Sequence, residues 1–379
     1  MNQKILTRDF ILAFLVQFVS SFVFNILIPA LPIYLSRSGS SEVETGVLIG
    51  IFFLSSLILR PFVGKALLKH AEKTFMAIGA LLYALSSISY LLTPPFWPFL
   101  IVRVLHGIGF AFVHTASITL IANISSGAHR GQTLGYFYMA STVSGALAPS
   151  LGMFLINYFS FTVLFLFCLS LSLCLLFITN RLSTRQVARL QESPIENRFF
   201  LTRESIPPSI SNSFSLFIWG ALGAFFPLYA IHHGVTNPGF FFTTVAIMLI
   251  LGRVLGAKAL DLYNRDRIIL LCLIAYIISM VLLAFSKTLS MFIVVAVIWG
   301  IGNAFLGPAL VVYALGREGS PPGPAMGTFT AISDLGLSLG PVIMGIILQF
   351  VSYPMMFLCL ALTGIINLNY FYFFVRRKG

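Results

Sequence analysis

The sequence predicts an all-α membrane protein: twelve transmembrane helices in two pseudo-symmetric six-helix bundles. Three observations predict it. The first is composition. Of 379 residues, 58% are hydrophobic and 9% are charged. A water-soluble domain carries about 25% charged residues, so most of this chain must face lipid or other helices. The second is segmentation. Stretches of about twenty apolar residues, the length that crosses a bilayer, follow one another from Asp9 to the C-terminus. The third is an internal repeat at a shift of about 193 residues. Arg60-x4-Lys65-Ala66-Leu67 returns as Arg253-x4-Lys258-Ala259-Leu260, and Gly107-Ile108-Gly109-x-Ala111-Phe112 as Gly300-Ile301-Gly302-x-Ala304-Phe305. Pro32-Ile33-Tyr34 pairs with Pro227-Leu228-Tyr229, and Ala148-Pro149 with Gly340-Pro341. Two like halves of an apolar chain imply two membrane bundles with a site between them.

In order along the chain, the spans are expected at 9–35, 44–64, 74–93, 96–123, 132–157, 160–180, 207–233, 238–260, 268–287, 289–314, 324–352 and 354–375. The first, from Phe10 to Leu35, is too long for a signal-peptide core and is expected to be a span. Arg37 closes it. Lys65, Lys69 and Lys73 separate the second from the third, and Arg130 precedes the fifth. Arg181 ends the sixth, Arg265 and Arg267 precede the ninth, and Arg376-Arg377-Lys378 ends the twelfth. Gly and Pro inside several spans are compatible with membrane helices. The one long polar segment, 181–204, carries five Arg and three Glu and is expected to be a cytoplasmic linker. It divides an N-terminal bundle (1–180) from a C-terminal bundle (205–379).

The formal net charge of +12 raises the question of nucleic acid. The distribution answers it. Outside the spans, eighteen Lys and Arg fall in one alternating set of loops and two, Arg37 and Lys287, in the other. This is the positive-inside pattern of a cytoplasmic-membrane protein with both termini in the cytoplasm, not a nucleic-acid patch. The four cysteines, Cys168, Cys174, Cys272 and Cys359, lie in apolar runs and read as packing residues. No phosphate loop, metal cluster or nucleophile–base set stands out, so neither ATP nor another cofactor is implied, and an embedded enzyme or receptor is disfavoured. The expected partners are the lipid bilayer, protons and a small-molecule substrate, with the chain acting as a monomer.

Ionisable groups inside a bilayer are expensive and mark pathways. Of eleven acids, only Asp334 lies deep in a span, about 15 Å in at 1.5 Å per residue. A carboxylate there can carry a proton or bind a cationic substrate group. Arg103 lies inside the fourth span, with His106 one turn on and His114 three turns on, beside Phe110. This arrangement predicts a polar stripe facing a cavity. Asn25 with Gln17, Asn212 and Asn303 are amides that serve either interhelical hydrogen bonds or substrate contacts. Trp219 and Tyr138 are candidate cavity aromatics, and packing is the competing role. Pro149 and Pro341 interrupt helices at matching places, as hinges or as fixed kinks.

These residues resemble the major facilitator superfamily over essentially the whole chain. Leu100-x-x-Arg103-x-x-His106-Gly107-x-Gly109 is similar to the family's fourth-helix motif, with His where Gln is usual. The resemblance ties Arg103 to proton coupling. Gly145-x-x-Ala148-Pro149-x-x-Gly152 resembles the glycine-proline motif of proton-driven exporters, with Ala148 in place of Gly. The loop after the second span departs from the pattern: Leu68 stands where the family has an acid, with Lys69 and Lys73 kept. In the second half Asp261 fills the acidic place, so the resemblance puts the cytoplasmic charge lock on Asp261 with Arg253 or Arg265. The Ser333–Gly340 segment is similar to exporters of staphylopine-type metallophores. What this implies is a proton-driven exporter of a small organic molecule. A proton symporter or facilitator importing a nutrient is the alternative.

Overall fold

The computed structural model describes residues 7–93, 96–125, 130–183, 202–255, 264–315 and 322–376, with the side chains of 130–132, 255 and 322–324 left aside. The described residues form twelve α-helices: α1 Arg8–Arg37, α2 Glu42–Ala66, α3 Glu72–Leu92, α4 Trp97–Ile124, α5 Arg130–Tyr158, α6 Phe161–Asn180, α7 Ile206–His232, α8 Gly239–Leu255, α9 Arg265–Phe285, α10 Leu289–Leu315, α11 Pro322–Leu348 and α12 Tyr353–Tyr370. A π-helical turn, Phe371–Val375, continues α12. Eleven of the helices are long and apolar enough to cross a membrane, and α8 is the shorter one. The expected spans match these helices closely. The largest departure is the eleventh, which ends at Leu348 and not at 352; the end of the eighth, expected at residue 260, lies outside the described residues.

Two compact units emerge: Met1–Ala30 with Ile51–Asn197, and Leu31–Gly50 with Arg198–Gly379. Within the first unit, α1 and α5 meet closely. A Cβ on Gly152 would lie 2.6 Å from the Ile26 carbonyl oxygen. Gln17 donates to Ser141 (2.6 Å), and Asn25 to Ser144 (3.1 Å). Within the second unit, α7 and α11 meet the same way. Gly336 packs on the Ser213 carbonyl and Gly340 on that of Phe217, while Asn212 donates to Ser333 at 2.9 Å. Small residues let helices approach where lipid supplies no hydrophobic drive between them, and amide–hydroxyl bonds add to the contact. In the second unit Gly46 and Gly50 of α2 also abut the Pro341 and Ser338 carbonyls of α11, and Gly345 abuts that of Glu42.

The sequence repeat is a repeat of contacts. Gly107 packs on the Phe52 carbonyl, and Gly300 on that of Val245, each pair 193 residues from its counterpart. Gly109 faces the Gly79 carbonyl and the Tyr83 ring; Gly302 faces the Cys272 carbonyl and the Tyr276 ring at the same shift. Each half therefore builds its third-to-fourth helix contact from the same positions.

Candidate functional site

In the first unit, Arg103 is 4% exposed, six residues and about 9 Å into α4. Its guanidinium carbon lies 4.6 Å from the Phe52 ring centroid, a cation–π contact. Nη1 donates to the Tyr90 hydroxyl at 3.3 Å, and that hydroxyl is 2.8 Å from Nδ1 of His106. His106 is fully enclosed, edge-on to Tyr83 (4.6 Å) and Phe52 (5.1 Å). It thus sits at the α3–α4 contact, about 60° around the helix from the line of Arg103 and His114. His114 stacks flat on Phe110 (5.2 Å, 8°), whose ring also lies 5.7 Å from the Arg60 guanidinium. Phe24 completes this aromatic group, 5.4 Å from Phe52 and 5.6 Å from Phe110.

Asn25 bonds across the α1–α5 contact, as described above. Tyr138 is 40% exposed on α5. Pro149 lies within α5 and Pro341 within α11. Lys65 and Lys69 are exposed at the end of α2, where Leu68 is exposed as well. Lys73 instead ties α3 to the end of α6, donating to the carbonyls of Asn180 (2.8 Å) and Leu182 (2.9 Å).

In the second unit, Asp334 lies midway along α11, half-buried, its carbonyl accepting from Ser338 at 3.0 Å. Among the described helices the other acids stand in first turns: Asp9, Glu42, Glu44, Glu72 and Asp266. Trp219 stacks on Trp299 (6.4 Å, 12°), and Trp299 on Tyr276 (3.7 Å). Tyr276 donates to Asn303 at 3.1 Å. Arg253 is exposed near the end of α8, and Asp261 lies outside the described residues. The acid seen engaged at this end is Asp266, which accepts from the Tyr313 hydroxyl and pairs with Arg376 at 3.0 Å. Arg265 begins the same helix.

Sequence reasoning passed over Tyr90, Tyr83 and Asp266. Tyr83 and Tyr90 are seven residues apart, on one face of α3, and nothing in the sequence marks them out before packing brings them to His106.

The Major Facilitator Superfamily model matches residues 13–317 and 209–379. The chain belongs to the major facilitator superfamily. Within it, multidrug resistance protein 2 of Bacillus subtilis (strain 168) is 25% identical over 357 residues, spanning 90% of this chain and 89% of that protein. The staphylopine export protein of Staphylococcus aureus (strain Mu50) is 23% identical over 348 residues, 86% of each chain. The crystal structure of the nucleoside transporter NupG shares the fold at a TM-score of 0.76 and 14% identity, covering 97% of this chain and 98% of that one. The protein is thus a multi-pass membrane transporter of the facilitator fold, not an enzyme.

Proposed function

We propose that this facilitator is a proton-driven exporter of a small organic molecule, whether a drug, a metallophore or a metabolite. It works by alternating access in the cytoplasmic membrane with both termini inside. Asp334 is the proton or substrate-cation carrier, and Arg103 is its coupling partner or an anion contact. The observation that carries the reading is the placement of Asp334: a half-buried carboxylate midway along a membrane helix, where ionised groups are costly and are kept for pathways. Arg103 supports it, being a buried cation in the resembling fourth-helix motif. The exporter direction rests on relatives named for multidrug resistance and staphylopine export and on the fifth-helix segment around Pro149.

The test is Asp334→Asn in proteoliposomes. Asn keeps the shape and the hydrogen bonding but cannot carry a proton. Gradient-driven accumulation should be lost while the protein still inserts. Unchanged gradient-driven transport by this variant overturns the assignment. The sign of accumulation under an imposed proton gradient separates export from import.

A further inference from the structure

Arg103, Tyr90 and His106 form one hydrogen-bonded chain inside the first unit. A guanidinium only donates, so the Tyr90 oxygen accepts from Arg103. Nδ1 of His106 lies 2.8 Å from the same hydroxyl, and the arrangement in which Tyr90 donates its one hydrogen there gives that hydrogen a partner. Nε2 of His106 is an enclosed atom with no hydrogen-bond partner, so Tyr90 is the polar contact of the ring. Phe52 meanwhile covers one face of the guanidinium at 4.6 Å.

The second half shows that the fold does not need this chain. At the same shift of 193 residues, Arg103, Tyr90 and His106 correspond to Ala296, Leu283 and Trp299. All three are fully buried, and Trp299 packs on Tyr276 where His106 packs on Tyr83. The same helix contact is built there without a charge: Ala296 and Leu283 are apolar, and Trp299 adds only a buried indole N–H. A buried cation with its polar partners, which its own repeat replaces with Ala, Leu and Trp, serves something other than packing, since burying a charge costs free energy that the repeat avoids.

We infer that Tyr90 and His106 are positioning residues for Arg103. Tyr90 holds one guanidinium N–H, His106 holds the Tyr90 hydroxyl in the rotamer that accepts it, and Phe52 sets the guanidinium plane. Together they aim the remaining donors of a planar five-donor group. The inference rests on the coupling role proposed for Arg103. It also explains how His serves where the family motif usually has Gln: the chain needs an acceptor at 106, which either residue offers.

The experiment uses the full chain in proteoliposomes with ethidium as the probe. It compares dye movement driven by a pH gradient with dye–dye exchange at equal pH. Tyr90→Phe keeps the ring and removes the hydroxyl. His106→Leu removes the acceptor, and His106→Gln restores one. Loss of a hydrogen bond to a charged group corresponds to about a tenfold effect. Tyr90→Phe and His106→Leu should therefore lose about tenfold in gradient-driven movement, with exchange within about twofold of wild type, and His106→Gln should keep both. Exchange reports folding, so misfolding cannot imitate this split. Parallel loss of both activities, loss of neither, or equal behaviour of the Leu and Gln variants overturns the inference. Arg103→Ala separates it from the underlying reading. If that variant keeps gradient-driven movement, the coupling role of Arg103 fails. If it abolishes movement that Tyr90→Phe retains, only the positioning role fails.

Discussion

Gly220→Ala tests whether the α7–α11 contact sets the position of the helix that carries Asp334. A Cβ on Gly220 would lie 2.7 Å from the Leu337 carbonyl oxygen and 3.0 Å from Cδ of Pro341. Ordinary contact begins near 3.4 Å, so the helices must part by about 0.7 Å. The obstacle is backbone, which no rotamer change can move aside. Inserting a methyl into such a contact costs about 1–3 kcal/mol, against a gain of up to about 1 kcal/mol in helix propensity from Gly to Ala. The net is destabilisation by about 0–3 kcal/mol, with α11 displaced within one turn of Asp334. The control is Gly327→Ala, on α11 itself, where a Cβ meets nothing within 4 Å; it should be neutral or stabilising. The assay is thermal unfolding in detergent by thiol-reactive dye, paired with transport. Gly220→Ala should melt below wild type and transport poorly, and Gly327→Ala should do neither. Equal melting of the two variants would refute the backbone-contact reasoning.

Three further outcomes follow from the same geometry. Arg103→Lys keeps the charge but loses the planar fork over Phe52 and the fixed bond to Tyr90, so transport should fall well below wild type; wild-type rates would mean that charge alone matters. His233, just beyond α7, has its pKa held below the ordinary histidine value by partial burial and then by His232 and Lys287. Lys287→Gln removes the lysine charge and should move the His233 titration upward in an NMR pH series, while an unmoved midpoint would remove Lys287 from the cause. Asp266→Asn should loosen the Arg376 end of α12, because the charge that pairs with Arg376 is lost while an acceptor oxygen for Tyr313 remains. Arg376 is well exposed, so the effect should be at most about 1 kcal/mol; hydrogen exchange over 371–376 would show it, and unchanged protection there would contradict it.

The spans were legible because bilayer thickness imposes one length on every element and the charged loops punctuate them. Reading failed where an apolar turn follows an apolar helix. Gln349 to Ser352 includes Phe350 and Val351, so hydropathy runs on past Leu348, while the backbone turns and Pro354 enters the first turn of α12. The site was legible one residue at a time. Arg103 and Asp334 stand out because charge in a span is costly. Tyr90 does not, because one aromatic among many carries no signal until packing brings its hydroxyl to Arg103. The same holds for Ser141, Ser144 and Ser333, whose hydroxyls matter only because α5 and α11 bring them to amides on α1 and α7. The repeat paired Gly107 and Gly109 with Gly300 and Gly302, and these glycines make matching contacts. The same shift pairs Arg103, Tyr90 and His106 with Ala296, Leu283 and Trp299, but that the first three are joined by hydrogen bonds is visible only once the contact is built.

The central claim is that movement of a small organic substrate is coupled to movement of protons. The direct measurement is substrate-induced proton flux in proteoliposomes containing a trapped pH dye, across a panel of metallophores, cationic dyes, sugars and nucleosides. The account predicts that a transported compound drives a proton counterflow in the wild-type protein, and that Asp334→Asn abolishes it. Transport of a compound with no accompanying proton flux, or proton flux undiminished in Asp334→Asn, would contradict it.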